Sequence, residues 1–217
     1  MFKSNIMIKL IIFDLWYTLA QREAYHLSAT RELEKAFNIN RPHEEVVKIF
    51  EKVIQTRIWE TEFDAYMELL RELKINPSKV NIMKAIAIRG KAETHIALYD
   101  FTIPLLTQLR EKNIKIGLLT NSSVFIRQIL EQDTKLLEYI DYPLFSYEMG
   151  TIKPDPVLFL EMQRLSGVSN PEEIIMIGDN VFDDIKPAKE LGINTIHFTG
   201  DYKELKKELK KFGVVVK

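Results

Sequence analysis

Ile11-Ile12-Phe13-Asp14-Leu15-Trp16-Tyr17-Thr18-Leu19 is the stretch on which the fold turns. An apolar run stops at a single carboxylate, and a threonine follows four residues later. A strand buried on both faces reads as such a continuous run, and open parallel sheets take ligands beyond the carboxyl ends of their strands. Residues 8–13 are therefore expected to form a buried strand that carries Asp14 to the ligand edge. Taken alone, an aspartate in this place is as readily a turn residue or a helix N-cap.

Outward from this strand, the second half of the chain alternates two periodicities. Ile103–Glu111 reads as a helix and Ile114–Leu119 as a strand ending in Thr120-Asn121-Ser122-Ser123. A helix through Leu130 and a short strand Tyr142–Phe145 follow. Pro156–Leu165 reads as a helix, Glu173–Ile177 as a strand ending in Gly178-Asp179, Ile185–Leu191 as a helix and Ile193–His197 as a strand. Strands alternating with helices make βαβ units, and right-handed crossovers bring every strand end to one edge. The fold class is α/β, a doubly wound parallel (Rossmann-like) sheet.

Residues 22–97 have another texture, charged and helical in period. One apolar stripe is Leu27, Leu33, Ala36 and Phe37; a second is Val46, Val47, Phe50, Val53 and Ile54; a third is Phe63, Tyr66, Met67, Leu70 and Leu73. Asn40-Arg41-Pro42 and Asn76-Pro77-Ser78 punctuate them, and no strand is expected there. The organisation read from this is a core of residues 1–20 and 99–217 with an inserted helical cap, 21–98. Trp59 and Tyr66 read as the cap's own core. The KELKKELKK run, 203–211, reads as the solvated face of a terminal helix.

The bulk composition removes several function classes. The 217 residues carry 30 Lys+Arg and 31 Asp+Glu, a net charge of -1, which speaks against nucleic acid as the main partner. There is no cysteine, so disulfides, thiolate metal sites and cysteine nucleophiles are out. No apolar run is long enough to span a membrane, and the N-terminus is a poor secretory signal. The expectation is a cytoplasmic protein, monomer or homodimer, acting on a small molecule without nucleic acid or membrane. His26, His43, His95 and His197 have no ligand spacing and read as structural or surface residues.

Four strand ends would bring polar groups to one edge: Asp14 with Thr18; Thr120-Asn121; Lys153 within Gly150-Thr151-Ile152-Lys153-Pro154-Asp155-Pro156; and Gly178-Asp179-Asn180-Val181-Phe182-Asp183-Asp184. In this order and spacing, FDLWYT, LLTN, IKPDP and IGDNVFDD resemble the four motifs of the haloacid dehalogenase-like (HAD) hydrolases, and the helical insert resembles that family's first-position α-helical cap. Pro187 departs from the pattern, where glycine is common. A carboxylate such as Asp14 can attack an electrophile to form a covalent intermediate, and Asp14 with Asp179 could share a Mg²⁺. The resemblance implies further roles. The Trp16 backbone carbonyl would complete the metal set, and Asp184 would orient metal-bound water or bind the metal directly. Thr120 and nearby N–H groups would hold a phosphoryl oxygen, with Lys153 neutralising charge between nucleophile and substrate. Thr18, Asn121 and Trp16 are the expected substrate contacts. Thr120-Asn121-Ser122 is also expected to cap the following helix, and Asp183 to be solvated.

Trp16 keeps the reaction open. Phosphatases of the family usually have an aspartate there, which protonates the leaving alkoxide, and an indole cannot. One reading is a 2-haloacid dehalogenase, whose halide leaves without a proton and which needs no metal. Against it stand Asp179 and Val181 where those enzymes have Ser and Asn, and Phe159 where they have a tyrosine; Arg22, Arg31 and Arg41 are unaligned candidates for their substrate arginine. A second is a Mg²⁺-dependent phosphatase working through an aspartyl phosphate on Asp14, with a good leaving group or an acid lent by the cap. A third is a weakly active binding protein of the same fold. The second ranks first, because the Asp14, Thr120, Lys153, Asp179 and Asp184 set is intact.

Overall fold

The computed structural model describes residues 6–22, 28–93 and 96–217. In chain order, β1 (Leu10–Phe13) and β2 (Ala20–Arg22) precede four helices: α1 (Ala29–Phe37), α2 (His43–Ile54), α3 (Glu62–Glu72) and α4 (Lys79–Glu93). The chain returns through β3 (Ile96–Leu98), α5 (Thr102–Glu111), β4 (Lys115–Thr120), α6 (Val124–Asp133), β5 (Tyr142–Phe145) and the short α7 (Ser146–Met149). It ends with α8 (Pro156–Ser166), β6 (Ile174–Gly178), a π-helical turn Val181–Ile185, α9 (Lys186–Glu190), β7 (Asn194–His197) and α10 (Tyr202–Lys211).

Five strands form one parallel sheet in the order β5-β4-β1-β6-β7. β1 lies at its centre, with Phe13 in register with Leu118 on one side and Ile177 on the other. All four of its side chains are fully buried. Successive residues of a strand face opposite ways. Thus Ile11 and Phe13 join Leu105, Leu109, Leu205 and Leu209 on one face of the sheet, and Leu10 and Ile12 join Leu158, Phe159 and Met162 on the other. Helices on both faces make the sheet doubly wound. Chain order runs outward from β1 to one side and then to the other, which makes the ends of β1, β4 and β6 the natural ligand crevice.

Helices α1–α4 enclose a separate apolar cluster in which Leu69, Val46 and Tyr66 are fully buried and Trp59 is partly so. Trp59 donates its indole N–H to the Val53 carbonyl at 2.8 Å. Phe125 of α6 reaches from the sheet side into this cluster. Two strands were not expected here: Ala20 pairs with Leu98 and Arg22 with Ile96, antiparallel, where the chain enters and leaves the helices. Each is three residues long, too short for an alternating pattern, and their pairing joins positions more than seventy apart in sequence. Of the first apolar stripe, Leu27 lies outside the described residues, as do His26 and His95.

Candidate active site

Asp14 leaves β1 with its N–H still in the ladder, donating to the Ile177 carbonyl at 2.9 Å. The following turn folds tightly back on itself, with the Leu19 and Ala20 N–H groups both donating to the Leu15 carbonyl. Tyr17 takes a left-handed φ of 57°, a costly conformation for a non-glycine residue and one that clusters at functional sites. Trp16 is half-buried, its ring against the core. Thr18 is buried, and among the described residues its Oγ1 has no hydrogen-bond partner.

Lys153 ties three of these strand ends together. Its Nζ donates to Asp14 Oδ1 at 2.7 Å, to Asp184 Oδ1 at 2.6 Å and to the Leu119 carbonyl at 3.0 Å. It reaches the edge from a loop and is placed by Asn121. The Asn121 Oδ1 accepts from the Lys153 N–H at 2.8 Å, and its Nδ2 donates to the Lys153 carbonyl at 3.1 Å. Asn121, expected at the substrate, thus commits both amide atoms to the lysine backbone. Thr120 Oγ1 lies 3.1 Å from Ser122 Oγ, fully buried at the end of β4. The expected helix cap moves by a residue: Ser123, not Thr120-Asn121-Ser122, accepts from the Ile126 N–H to start α6.

Asp184 comes from the π-helical turn, not from a regular helix beginning at Ile185. Asn180 caps that turn, its Oδ1 accepting from the Phe182 and Asp183 N–H groups and its Nδ2 donating to Asp183 Oδ2 at 2.6 Å. The wider turn packs Asp184 against Gly178: a Cβ on that glycine would lie 2.2 Å from Asp184 Oδ2. Only glycine leaves room for the carboxylate. Asp14, Asp179 and Asp184 each offer an oxygen within 4.8 Å of the others. His197, read as structural, places Nε2 2.9 Å from the Asp179 carbonyl.

Three carboxylates against one ammonium leave the site short of positive charge. Burial, partly offset by Lys153, pushes the Asp14 carboxyl up to about 7, and Asp184 adds to the rise. Burial and then Asp184 raise Asp179. Burial alone would lower the Lys153 ammonium, but Asp14 and Asp184 outweigh it and hold it above its ordinary value. Such a set of hard oxygen donors could hold a metal cation.

Sequence reasoning missed Ser146, which has no motif around it. Fully buried at the start of α7, its Oγ accepts from the Ser122 N–H at 3.0 Å and lies 2.7 Å from the carbonyl of Gln55, which ends α2. It joins the β4 edge to the helical insert.

The family model of haloacid dehalogenase-like hydrolases matches residues 8–192. The chain is 30% identical over 210 residues to the glyceraldehyde 3-phosphate phosphatase of Methanocaldococcus jannaschii, covering 92% of this chain and 89% of that protein. Over 97 residues it is 39% identical to the Rhythmically expressed gene 2 protein of Drosophila melanogaster, a match that spans only 37% of that relative's length and 42% of this chain. Among solved structures, the HAD-family enzyme BT-2542 of Bacteroides thetaiotaomicron, in complex with magnesium and inorganic phosphate, superposes with a TM-score of 0.67. That match has 22% identity and covers 91% of this chain and 98% of the other, which speaks to the fold. The chain belongs to the haloacid dehalogenase-like hydrolase family.

Proposed function

We propose that this hydrolase is a Mg²⁺-dependent phosphatase acting on a small phosphorylated metabolite. The observation that carries the reading is the convergence of Asp14, Asp179, Asp184 and Lys153 at the ends of β1 and β6. Oxygens of three carboxylates within 4.8 Å of one another suit a small hard cation, and the Trp16 carbonyl is the expected further donor. When bound, Mg²⁺ would offset the charge of the carboxylates and of a phosphoryl group. Asp14 attacks phosphorus, the P–O bond to the leaving group breaks, and the phosphoryl group rests on the aspartate until water removes it. Lys153 Nζ, held by Asp14 and Asp184, stabilises the negative charge that builds between nucleophile and substrate. The unpartnered Thr18 Oγ1 and the buried Thr120 hydroxyl are the groups left to meet a phosphoryl oxygen or the substrate.

The dehalogenase reading loses ground on the same geometry. A 2-haloacid brings its own carboxylate to a place where Asp179 and Asp184 already surround Asp14 with a single lysine to balance them. The phosphatase similarity of the near full-length relative points the same way. The test is hydrolysis of p-nitrophenyl phosphate with Mg²⁺ and with excess EDTA, beside chloride release from 2-chloropropionate. Mg²⁺-dependent phosphate release without chloride release supports the proposal; chloride release indifferent to EDTA overturns it.

A further inference from the structure

Trp16 stands two residues after Asp14 and removes the usual source of a proton for the leaving group. Its indole N–H does not ionise near neutral pH. The other acids beside Asp14 are committed: Asp184 to Lys153, and Asp183 to the amide of Asn180. Asp179 is the third carboxylate of the metal cluster. An acid on the helical side of the site would supply that proton to an ester with a basic alkoxide.

We infer that Glu51 of α2 is the catalytic acid that protonates the leaving group, an inference that rests on the phosphatase reading. Glu51 lines a cleft of about 500 Å³ between α2 and the Gly150-Thr151-Ile152 segment, which runs directly into Lys153. The lining of the cleft places it there. Gln55 lies one turn later on the same face, and its carbonyl is the one seated against Ser146 of the sheet side. Glu51 is half-buried, and among the described residues its carboxylate forms no hydrogen bond and no ion pair within 4.0 Å. Burial and then the Asp183 carboxylate raise its affinity for a proton, with Lys48 opposing. The other charged groups lining the cleft are Lys48, Lys52 and Arg57, all exposed; the facing segment brings none. Glu51 thus faces the segment that leads into Lys153 and feels the charge of Asp183, the neighbour of Asp184.

The proton balance closes on these groups. As Asp14 forms its bond to phosphorus, the electron pair of the breaking P–O bond stays on the ester oxygen, which takes the Glu51 proton and departs as the alcohol. The resulting Glu51 carboxylate then removes a proton from the water that attacks the aspartyl phosphate. Asp14 is released as a carboxylate with inorganic phosphate, and Glu51 is again protonated.

The test compares wild type, Glu51→Gln and Glu51→Asp, full-length and with saturating Mg²⁺. The substrates are p-nitrophenyl phosphate, with an acidic leaving phenol, and glycerol 3-phosphate, with a basic leaving alkoxide. Glu51→Gln is expected to lower kcat for the alkyl ester by about 10²–10⁴-fold, and for the aryl ester by much less. Wild-type kcat on the alkyl ester should fall as pH rises through the ionisation of Glu51. Glu51→Gln should lose that limb, and Glu51→Asp should keep it with part of the rate. Equal losses on both esters, or a change confined to KM, would overturn the assignment while leaving the phosphatase reading intact. Absence of Mg²⁺-dependent hydrolysis of either ester by the wild-type chain would overturn both.

Discussion

The sheet and the helices inserted after β1 are both well packed, but they place side chains in different ways. At the sheet edge, β1 is buried on both faces and locked in register with β4 and β6. Asp14, Thr120 and Asp179 each lie within one residue of a strand end. In α1–α4 the apolar stripes fix only which face turns inward, and α2 carries exposed Lys48 and Lys52. A parallel sheet positions a few atoms closely because each strand end is held from two sides, whereas an amphipathic helix specifies a face and little more. The proposed chemistry follows this division: nucleophile and charge balance on the sheet, contact with the leaving group on the helices.

The most drastic way to test the sheet's share is Asp14→Asn. The amide keeps the size of the side chain and removes the nucleophile, so phosphate release should fall by roughly 10⁴–10⁶-fold. Pulse labelling with a phosphorylated substrate should trap a phosphoenzyme in the wild type and none in the variant. Retention of full activity would move the nucleophile elsewhere and end the comparison as drawn.

The helical side is tested by Leu69→Ala, a truncation in a fully buried position. It should cost about 2–5 kcal/mol in urea unfolding. Mg²⁺ affinity, measured by titration calorimetry under native conditions, should stay at the wild-type value, because Asp14, Asp179 and Asp184 all belong to the sheet side. A parallel loss of Mg²⁺ affinity would mean that the two regions share their stability and that the division is only one of sequence.

The two regions also differed in how far their residues could be read. The sheet was legible as a fold because LIIF, KIGLLT and IIMIG are largely apolar runs of strand length, and as a candidate site because Asp14 and Asp179 directly follow two of them with charge. The roles of Asn121 and Ser146 were not legible. Whether an asparagine meets a substrate or a lysine backbone depends on a loop thirty-two residues away. A buried serine that bonds to Gln55, ninety-one positions earlier, leaves no local mark. The π-helical turn was missed for a similar reason: DNVFDDI fits a regular helix start equally well, and the packing of Asp184 on Gly178 decides between them.

That packing gives a smaller prediction on the sheet side. Gly178→Ala would set a methyl carbon 2.2 Å from Asp184 Oδ2, well inside any contact distance, so the carboxylate must move. The overpacking should cost about 1–3 kcal/mol of stability. Mg²⁺ should bind more weakly by calorimetry, the reverse of the result expected for Leu69→Ala. Wild-type Mg²⁺ affinity in Gly178→Ala would show that Asp184 need not hold its observed place.

Ser146→Ala probes the joint between the regions and should have the smallest effect on stability. The hydroxyl serves the Ser122 N–H and, with its one proton, either the Gln55 or the Ser122 carbonyl. Its loss leaves a buried donor and a carbonyl unpaired, a cost of about 1–2 kcal/mol. Function should respond unevenly. The nucleophile and its charge partners do not touch Ser146, so turnover of an aryl phosphate should survive. The end of α2 would lose its hold on the sheet, and with it the aim of Glu51 one turn earlier. The alkyl phosphate should therefore lose rate more than the aryl phosphate, as for Glu51→Gln but to a lesser degree. Equal losses on the two esters would mean that Ser146 acts through Ser122 and Thr120 on the phosphoryl group, and that the joint transmits nothing from the helices.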